Sequence, residues 1–259
     1  MLSKKQSVLP RWRCLCAYDG TNYVGWQRQR SGDSVQGVIE NALAKAIGEG
    51  IRTIGAGRTD AGVHADGQVF HFDAVWNHGP EKMLKALLRR LPQDIQLLEI
   101  REASHSFHAL HSAKGKHYVY RAMEGRALPM ETNFFHSLKN LRPDLELMRA
   151  GAVHLLGRHN FSAFAASRGH EDNENPVKEL WRLEVKKSGP RIGITAVGGG
   201  FLYKMVRSIA GALFDVGTGK LEPDDIREIL ESCKRTHLIV TAPARGLTLV
   251  KVHYRRPRR

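Results

Sequence analysis

The sequence predicts an α+β fold built from two similar halves with mixed, largely antiparallel sheets. Two observations indicate this class. Strand-like and helix-like stretches alternate along the chain, and the strands are joined both by helices and by short turns. The pattern of the first half then recurs in the second. A chain of 259 residues can hold one large domain or two modest ones.

The first half has three predicted strands and two predicted helices. The strands, recognised from alternating or β-rich stretches, are 11–18, 68–73 and 95–100. Ser34 can cap a helix over 34–48, whose apolar residues form one stripe. A second helix has Pro80 in its first turn and stops at Pro92.

The second half has four predicted strands and three predicted helices. The strands are 116–123, 180–186, 191–197 and 247–254. One helix follows Pro143, and the other two cover 201–216 and 223–233.

These elements predict two domains between short basic tails. The predicted segments are a tail at 1–10, an N-terminal α/β domain at 11–105, a C-terminal α/β domain at 106–254 and a tail at 255–259. We expect the seam within 103–114. The basic residues near both ends should be solvated and could add phosphate contacts: Lys4, Lys5, Arg11, Arg13, Arg255, Arg256, Arg258 and Arg259.

Composition narrows the classes of function. Lys and Arg number 40 against 26 acidic residues, a formal charge of +14 that suits a polyanionic partner. No run approaches the ~20 apolar residues that cross a bilayer, and the basic N-terminus has no apolar signal core. Among the 3 cysteines, Cys14 and Cys16 should share one face of a strand as small buried hydrophobes. We therefore expect a soluble, cytoplasmic protein.

The most unusual segment is the glycine-rich stretch 55–67. It matches neither the dinucleotide-binding pattern nor the P-loop pattern. Arg58 and Asp60 are separated by one residue, so an extended backbone would project both side chains to one side. The guanidinium would keep Asp60 ionised, as a nucleophile or general base requires. The alternative is an aspartate that only caps its own turn.

The 13 histidines offer two sets with metal-ligand chemistry. These sets are His105, His108 and His111, and His64, Asp66 and His71. Neither has the pair spacing usual for zinc, and no cysteine pair supports either set. Surface or RNA-facing histidines are the favoured interpretation, and we expect no metal.

Residues 114–121 interleave basic and aromatic side chains. In a strand, Tyr118 and Tyr120 point to one face, while His117 and Arg121 point to the other. Aromatic rings among cations can stack nucleobases. The alternative, equally favoured, is that both tyrosines are ordinary core residues.

The predicted helix over 201–216 has an apolar side and a second side with Arg207, Ser208 and Gly211. Gly211 lies one turn from Arg207, so we expect an uncrowded surface there. A guanidinium at that position could reach a carboxylate or phosphate. A solvated arginine is the alternative.

In these segments the sequence resembles the TruA family of tRNA pseudouridine synthases. The matching strings follow one another over nearly the whole chain. They are YDGTNYVGWQRQ (18–29), SVQ (34–36), GRTDAGVH (57–64), GQV (67–69), FHA (107–109), KHYVY (116–120), GRHNF (157–161), MVRSIAG (205–211) and APARGL (242–247). The string at 57–64 is highly specific.

The resemblance implies roles for individual residues. Asp60 would be the catalytic aspartate, Arg58 would help to displace or replace the flipped nucleotide, and Tyr118 would stack on the target uracil. Arg207 would hold the Asp60 carboxylate in an ion pair. Further RNA-binding residues implied by the matched strings are His64, Gln68, Lys116 and Leu247.

The resemblance also implies a fold, a reaction and partners. Two α/β domains would join their sheets across a basic cleft. A homodimer would isomerise uridines at positions 38 to 40 of the tRNA anticodon stem-loop without cofactor or metal. Leu110 stands where the family usually has arginine, which puts one cationic RNA contact in question. Asp66 replaces a small residue or threonine and alters the loop slightly.

Two other classes of protein fit the same charge pattern. One is a non-catalytic tRNA-binding protein or RNA chaperone that uses the cations and Tyr118. The other is a metal-dependent RNA phosphoesterase that uses the histidine sets. Salt-sensitive RNA binding is expected of all three classes and does not separate them.

Overall fold

The computed structural model describes residues 9–167 and 174–257. The chain forms two compact units. Unit 1 contains the described residues up to Ala61 together with Ala65–Ala113, and unit 2 contains Gly62–His64 and the described residues from Lys114 onward. The basic residues Lys4, Lys5, Arg258 and Arg259 lie outside the described residues.

Unit 1 contains four strands and two helices, and only His64, the first residue of the third strand, is grouped with unit 2. In chain order these are β1 (Arg11–Tyr18), α1 (Val35–Ala46), β2 (Ile54–Gly55), β3 (His64–Asp73), α2 (Pro80–Leu88) and β4 (Ile95–Ala103). The strands lie in the order β4-β1-β3-β2, and each neighbouring pair is antiparallel. Helix α2 packs against β4 and α1 packs against α2. As predicted, the Ser34 hydroxyl caps α1 by accepting a hydrogen bond from the N–H of Gly37.

The core of unit 1 follows the two-residue period of β1. Every second residue of that strand is buried, from Trp12 through Cys14 and Cys16 to Tyr18. Cys14 and Cys16 are completely buried, and burial raises the pKa of both thiols. This confirms their prediction as small core hydrophobes.

Unit 2 contains six strands and three helices in the part that the structure describes. They are β5 (Gly115–Met123), β6 (His136–Ser137), α3 (Leu145–Val153), β7 (Gly157–Asn160), β8 (Val177–Ser188), β9 (Arg191–Gly198), α4 (Met205–Gly217), α5 (Pro223–Ser232) and β10 (Leu247–His253). The sheet order is β10-β5-β9-β8-β7 with antiparallel neighbours, and β6 runs parallel to β5. The α+β class and the mixed, largely antiparallel pairing are therefore confirmed.

The predicted start of α4 is wrong. The helix begins at Met205, because Lys204 adopts a left-handed conformation at φ +58° and Phe201 and Leu202 lie outside the helix. Apolar spacing continues across this turn, so the sequence pattern does not show where the helix begins.

His71 lies buried in unit 1, and its Nδ1 accepts a hydrogen bond of 3.1 Å from the N–H of Ala109. Burial lowers the pKa of His71 to about 4, and the charges of Arg11 and His108 lower it further. Asp73 and the backbone bond to Ile54 oppose this shift.

The His71 pKa predicts that unit 1 loses stability in acid. Between the ordinary histidine pKa of about 6.5 and the folded value of about 4, the unfolded chain binds the proton more readily. The free energy of unfolding should therefore fall as pH is lowered through this window. Urea denaturation at pH 7 and pH 5 measures the change. His71→Asn, whose amide oxygen can accept from Ala109, should show a smaller drop, and an equal drop would contradict the prediction.

Candidate active site

The segment 57–61 in unit 1 places Arg58 and Asp60 on its accessible side. Arg58 is exposed and Asp60 is half-buried, whereas Thr59 between them is buried. This alternation is that of an extended backbone, in which neighbouring side chains point in opposite directions. Both charged side chains therefore lie on the more exposed side of the segment.

Thr59 fixes this segment to the rest of unit 1. Its Oγ1 lies 2.8 Å from the hydroxyl oxygen of Tyr18, and its carbonyl accepts a 3.1 Å hydrogen bond from the N–H of Trp26. A buried hydrogen-bonded residue directly before Asp60 limits how far the carboxylate can move.

Gly25 packs directly against the backbone of the segment 57–61. A Cβ on this residue would lie 2.6 Å from the carbonyl oxygen of Thr59 and 3.1 Å from the carbonyl carbon of Asp60. Its φ of +109° is also a conformation that favours glycine. The motif at 18–29 thus supplies both Tyr18 and Gly25 as supports for the Asp60 segment, a role that our sequence analysis missed.

Gln68, predicted as an RNA-binding residue, lies fully buried on β3. Its side-chain amide donates a 2.9 Å hydrogen bond to the carbonyl of Gly57. Nearby, the N–H of Ala56 donates a 2.7 Å hydrogen bond to the carbonyl of Val69. Gln68 therefore supports the start of the same segment.

Tyr118 lies on β5 in unit 2, opposite Leu249 on one neighbouring strand and Ala196 on the other. Only 7% of its surface is exposed. Its ring and that of Phe201 form a T-shaped contact, with 5.2 Å between the ring centroids and 84° between the ring planes. Leu247 is buried and pairs with Tyr120, two residues further along the same face. Tyr118 and Leu247 are thus diagonal neighbours on one face of the sheet.

Arg207 lies half-buried on α4 in the same unit. Its Nε donates a 2.8 Å hydrogen bond to the carbonyl of Ala242. The N–H of Ala242 donates a 3.1 Å hydrogen bond to the carbonyl of Arg207. The first bond orients the guanidinium, and the second ties the backbone of α4 to that of Ala242.

The predicted uncrowded surface beside Arg207 is wrong. Ser208 and Gly211 are both buried, and a Cβ on Gly211 would collide with the carbonyl oxygen of Val240. The segment before β10 thus packs on the side of α4 that was expected to be open. Gly211 is needed for close backbone packing, not for open space.

Arg245 is a second cation that acts on Tyr120, and sequence reasoning did not single it out. The Tyr120 hydroxyl donates a 3.0 Å hydrogen bond to the carbonyl of Pro243. Burial raises the pKa of Tyr120, while the charges of Arg207 and Arg245 oppose the rise. Both guanidinium groups therefore act on the same part of unit 2. The sequence signal for Arg245 was the string at 242–247.

The remaining predicted RNA-binding residues of unit 2 lie in different surroundings. His64 is buried, and its Nε2 lies 2.8 Å from the carbonyl of Asn133 and 3.1 Å from that of Arg245. Since carbonyls only accept, Nε2 carries a proton. Lys116 is half-buried on β5, where burial lowers the pKa of its ammonium group, Glu174 opposes this and Lys178 adds to it.

The predicted site residues are divided between the two units. Asp60, Arg58 and Gln68 lie in unit 1, and Tyr118, Lys116, His64, Arg207 and Leu247 lie in unit 2. Across 9–167 and 174–257, the structure contains no group of three or more His, Cys, Asp or Glu residues arranged to hold a metal ion. None of the helices in these ranges has the length and apolar character of a membrane span.

Comparison with known proteins identifies the class. The family model described as tRNA pseudouridine synthase matches residues 15–110 and 152–255. The chain therefore belongs to the tRNA pseudouridine synthase family and is an isomerase of that family.

Its relatives define a particular branch of the family. The tRNA pseudouridine synthase A of Brevibacillus brevis is 39% identical over 95% of this chain and 100% of its own. The protein of the same name from Rhizobium leguminosarum bv. trifolii is 41% identical over 95% of this chain and 92% of its own. That of Acetivibrio thermocellus is 40% identical, with coverage of 93% and 98%.

Proposed function

We propose that this protein converts uridine to pseudouridine at positions 38 to 40 of the tRNA anticodon stem-loop, with Asp60 as the catalytic carboxylate. One observation carries the proposal. In a chain about 40% identical to tRNA pseudouridine synthases A over nearly its whole length, Asp60 lies accessible on a segment braced by Tyr18 and Gly25.

The reaction is an isomerisation that replaces a carbon–nitrogen glycosidic bond with a carbon–carbon one. The bond from C1′ to N1 breaks and a bond from C1′ to C5 forms. The proton leaves C5, and N1 gains a proton, so the overall composition is unchanged. Asp60 either adds to the sugar or base, or removes a sugar proton so that a glycal forms. Both routes need the ionised carboxylate.

The target uridine must leave the helical stack before it can rotate and rebond. Arg58, exposed on the Asp60 segment, takes the place of the extruded nucleotide. Tyr118, with its ring fixed edge-on by Phe201, stacks on the uracil. Arg207, oriented through its bond to Ala242, pairs with Asp60 and keeps it charged once the site closes over the base.

The other residues act by supporting the site or by binding RNA. Gln68 and His64 hold backbone carbonyls and position the segments on which RNA docks. Lys116 contributes positive charge on the strand of Tyr118, and Leu247 provides apolar surface beside it. The enzyme acts on cytoplasmic tRNA as a homodimer. The formal charge of +14 supports a polyanionic substrate.

Mapping pseudouridine in a treated tRNA transcript tests this proposal. The purified protein should introduce carbodiimide-reactive pseudouridine at positions 38 to 40 of a transcript that has uridines there, and the RNA should stay intact. Modification confined to other positions would contradict the site assignment. Binding without modification would favour an RNA chaperone, and cleaved RNA would favour a phosphoesterase.

A further inference from the structure

A second groove lies in unit 2, away from the residues proposed for catalysis. Its volume is about 580 Å³, and its lining includes Trp181, His117, His253 and Arg256. His117 and Tyr118 are adjacent on β5, so their side chains point to opposite faces of the sheet. The groove therefore lies on the face of this sheet opposite Tyr118.

Two histidine nitrogens in this groove lack hydrogen-bond partners. Nε2 of His117 and Nε2 of His253 are both buried without a partner among the described residues. Buried polar atoms are nearly always paired in folded proteins, and here neither nitrogen is committed to a hydrogen bond with another described residue. Burial lowers the pKa of both imidazoles, with the charges of Arg182 and Lys251 adding to the shift. Each ring is therefore neutral near pH 7 and has one N–H to donate.

The groove also contains a stacking surface. The Arg256 guanidinium lies over the indole of Trp181 at 4.9 Å from its centroid, a cation–π contact. The same guanidinium bonds the Glu179 carboxylate at 2.6 Å, which neutralises this acid at the edge of the groove. More than half of the Arg256 side chain is exposed, so a planar ligand can displace it from the indole.

The charge of the groove distinguishes between two partners that could cover it, a second copy of this chain and a polyanion. Arg182 and Lys251 act on the groove histidines, and Arg256 lies at its wall. A second copy of this chain placed symmetrically on the groove would bring these cations against their own equivalents, which repel. A polyanion instead gains from every one of them.

We propose that this groove binds an unpaired nucleotide of the tRNA substrate, outside the target uridine. The base stacks on Trp181, and oxygen atoms of the base or phosphate accept from His117 and His253. Arg256, whose guanidinium has five N–H donors, then contacts the neighbouring phosphate while it keeps its bond to Glu179. The inference rests on the proposed function in one respect, that the substrate is tRNA.

Binding and cross-linking of a full-length tRNA transcript test this inference. We expect Trp181→Leu to raise the Kd about tenfold, the value of one lost stacking contact, with turnover at saturating tRNA unchanged. His117→Gln, a milder change at the same groove, should also weaken binding. Trp76→Leu removes a half-buried tryptophan from unit 1 and should leave the Kd unchanged. A transcript containing 4-thiouridine should cross-link to the peptide that carries Trp181.

Several outcomes would overturn the inference. An unchanged Kd for both groove variants, with no cross-link to that peptide, would show that tRNA does not occupy the groove. A change in sedimentation coefficient for both variants at an unaltered Kd would assign the surface to a second copy. Absence of tritium release from tRNA labelled at uridine C5 by the wild-type protein would instead contradict the proposed function, while the Kd and cross-linking would still decide the groove.

Discussion

Asp60→Asn should lower the release of tritium from tRNA labelled at uridine C5 by about a thousandfold, while tRNA affinity stays near that of the wild type. The asparagine keeps the shape of the side chain but can neither accept the sugar proton nor form the carboxylate adduct. Since most of the binding energy comes from phosphate contacts, loss of one carboxylate should not weaken RNA binding. Single-turnover tritium release and filter binding measure the two quantities.

Asp66→Asn is the matched control for this change. Asp66 is an exposed carboxylate on β3, close along the chain to Asp60. Its replacement removes the same charge and should leave tritium release unaltered. Turnover by Asp60→Asn at more than a tenth of the wild-type rate, or an equal loss in both variants, would refute the role of Asp60.

The proposed pairing of Arg207 with Asp60 can be tested with the same tritium-release and filter-binding measurements. Arg207→Ala should lower turnover more than affinity, because its guanidinium keeps the carboxylate ionised. Once Asp60 is already asparagine, removing Arg207 should have little additional effect, as expected of residues that act as one unit. Independent, additive losses in the double variant would show that Arg207 acts elsewhere, for example as a phosphate contact.

Gly25→Ala should reduce both stability and turnover, although residue 25 has no reactive group. The added Cβ would lie 2.6 Å from the carbonyl oxygen of Thr59, and the backbone φ of +109° is unfavourable for alanine. The contact is with backbone, so the segment that carries Asp60 must move. We expect a loss of about 1–3 kcal/mol in the free energy of unfolding. A displacement of about 1 Å at the carboxylate should lower turnover by about a hundredfold.

Gly50→Ala separates this clash from backbone strain. Gly50 has a similar φ of +81°, but a Cβ there would meet no atom within 4 Å. This variant should lose only about 1 kcal/mol of stability and keep full turnover. Chemical denaturation and tritium release on the two variants provide the comparison. If Gly25→Ala retains full turnover, then Gly25 does not hold the Asp60 segment in place.

Local patterns predicted most of the regular structure. The alternation in β1 and β5 gave both their position and their buried faces, and Ser34 marked the start of α1 correctly. The short strands β2, β6 and β7 were missed because two to four residues are too few to show a period.

Features that depend on distant residues could not be predicted in this way. The open side expected on α4 is covered by the segment near Val240, which lies far along the chain. Nothing in the helix itself records this partner, because a buried glycine and serine look the same in sequence as exposed ones.

In the candidate site, too, local sequence patterns were predictive, whereas contacts between residues distant in sequence were not foreseen. Arg58 and Asp60 were recognised from their spacing, and the structure finds Arg58 exposed and Asp60 half-buried. The supports of this segment were not foreseen, because Tyr18, Gly25 and Gln68 act through contacts that only folding creates. For the same reason, Gln68 and His64 were expected to face RNA, whereas both side chains are buried against backbone carbonyls.

The position of the target nucleoside relative to residue 60 is the most direct test of the account. A crystal structure of the Asp60→Asn protein bound to tRNA would measure it, since this variant should bind without reacting. We predict an extruded uridine whose C1′ or C6 lies within about 3.5 Å of the residue 60 side chain, the separation of groups ready to react. A uridine still stacked in the RNA, or one held away from residue 60, would contradict the catalytic role assigned to Asp60.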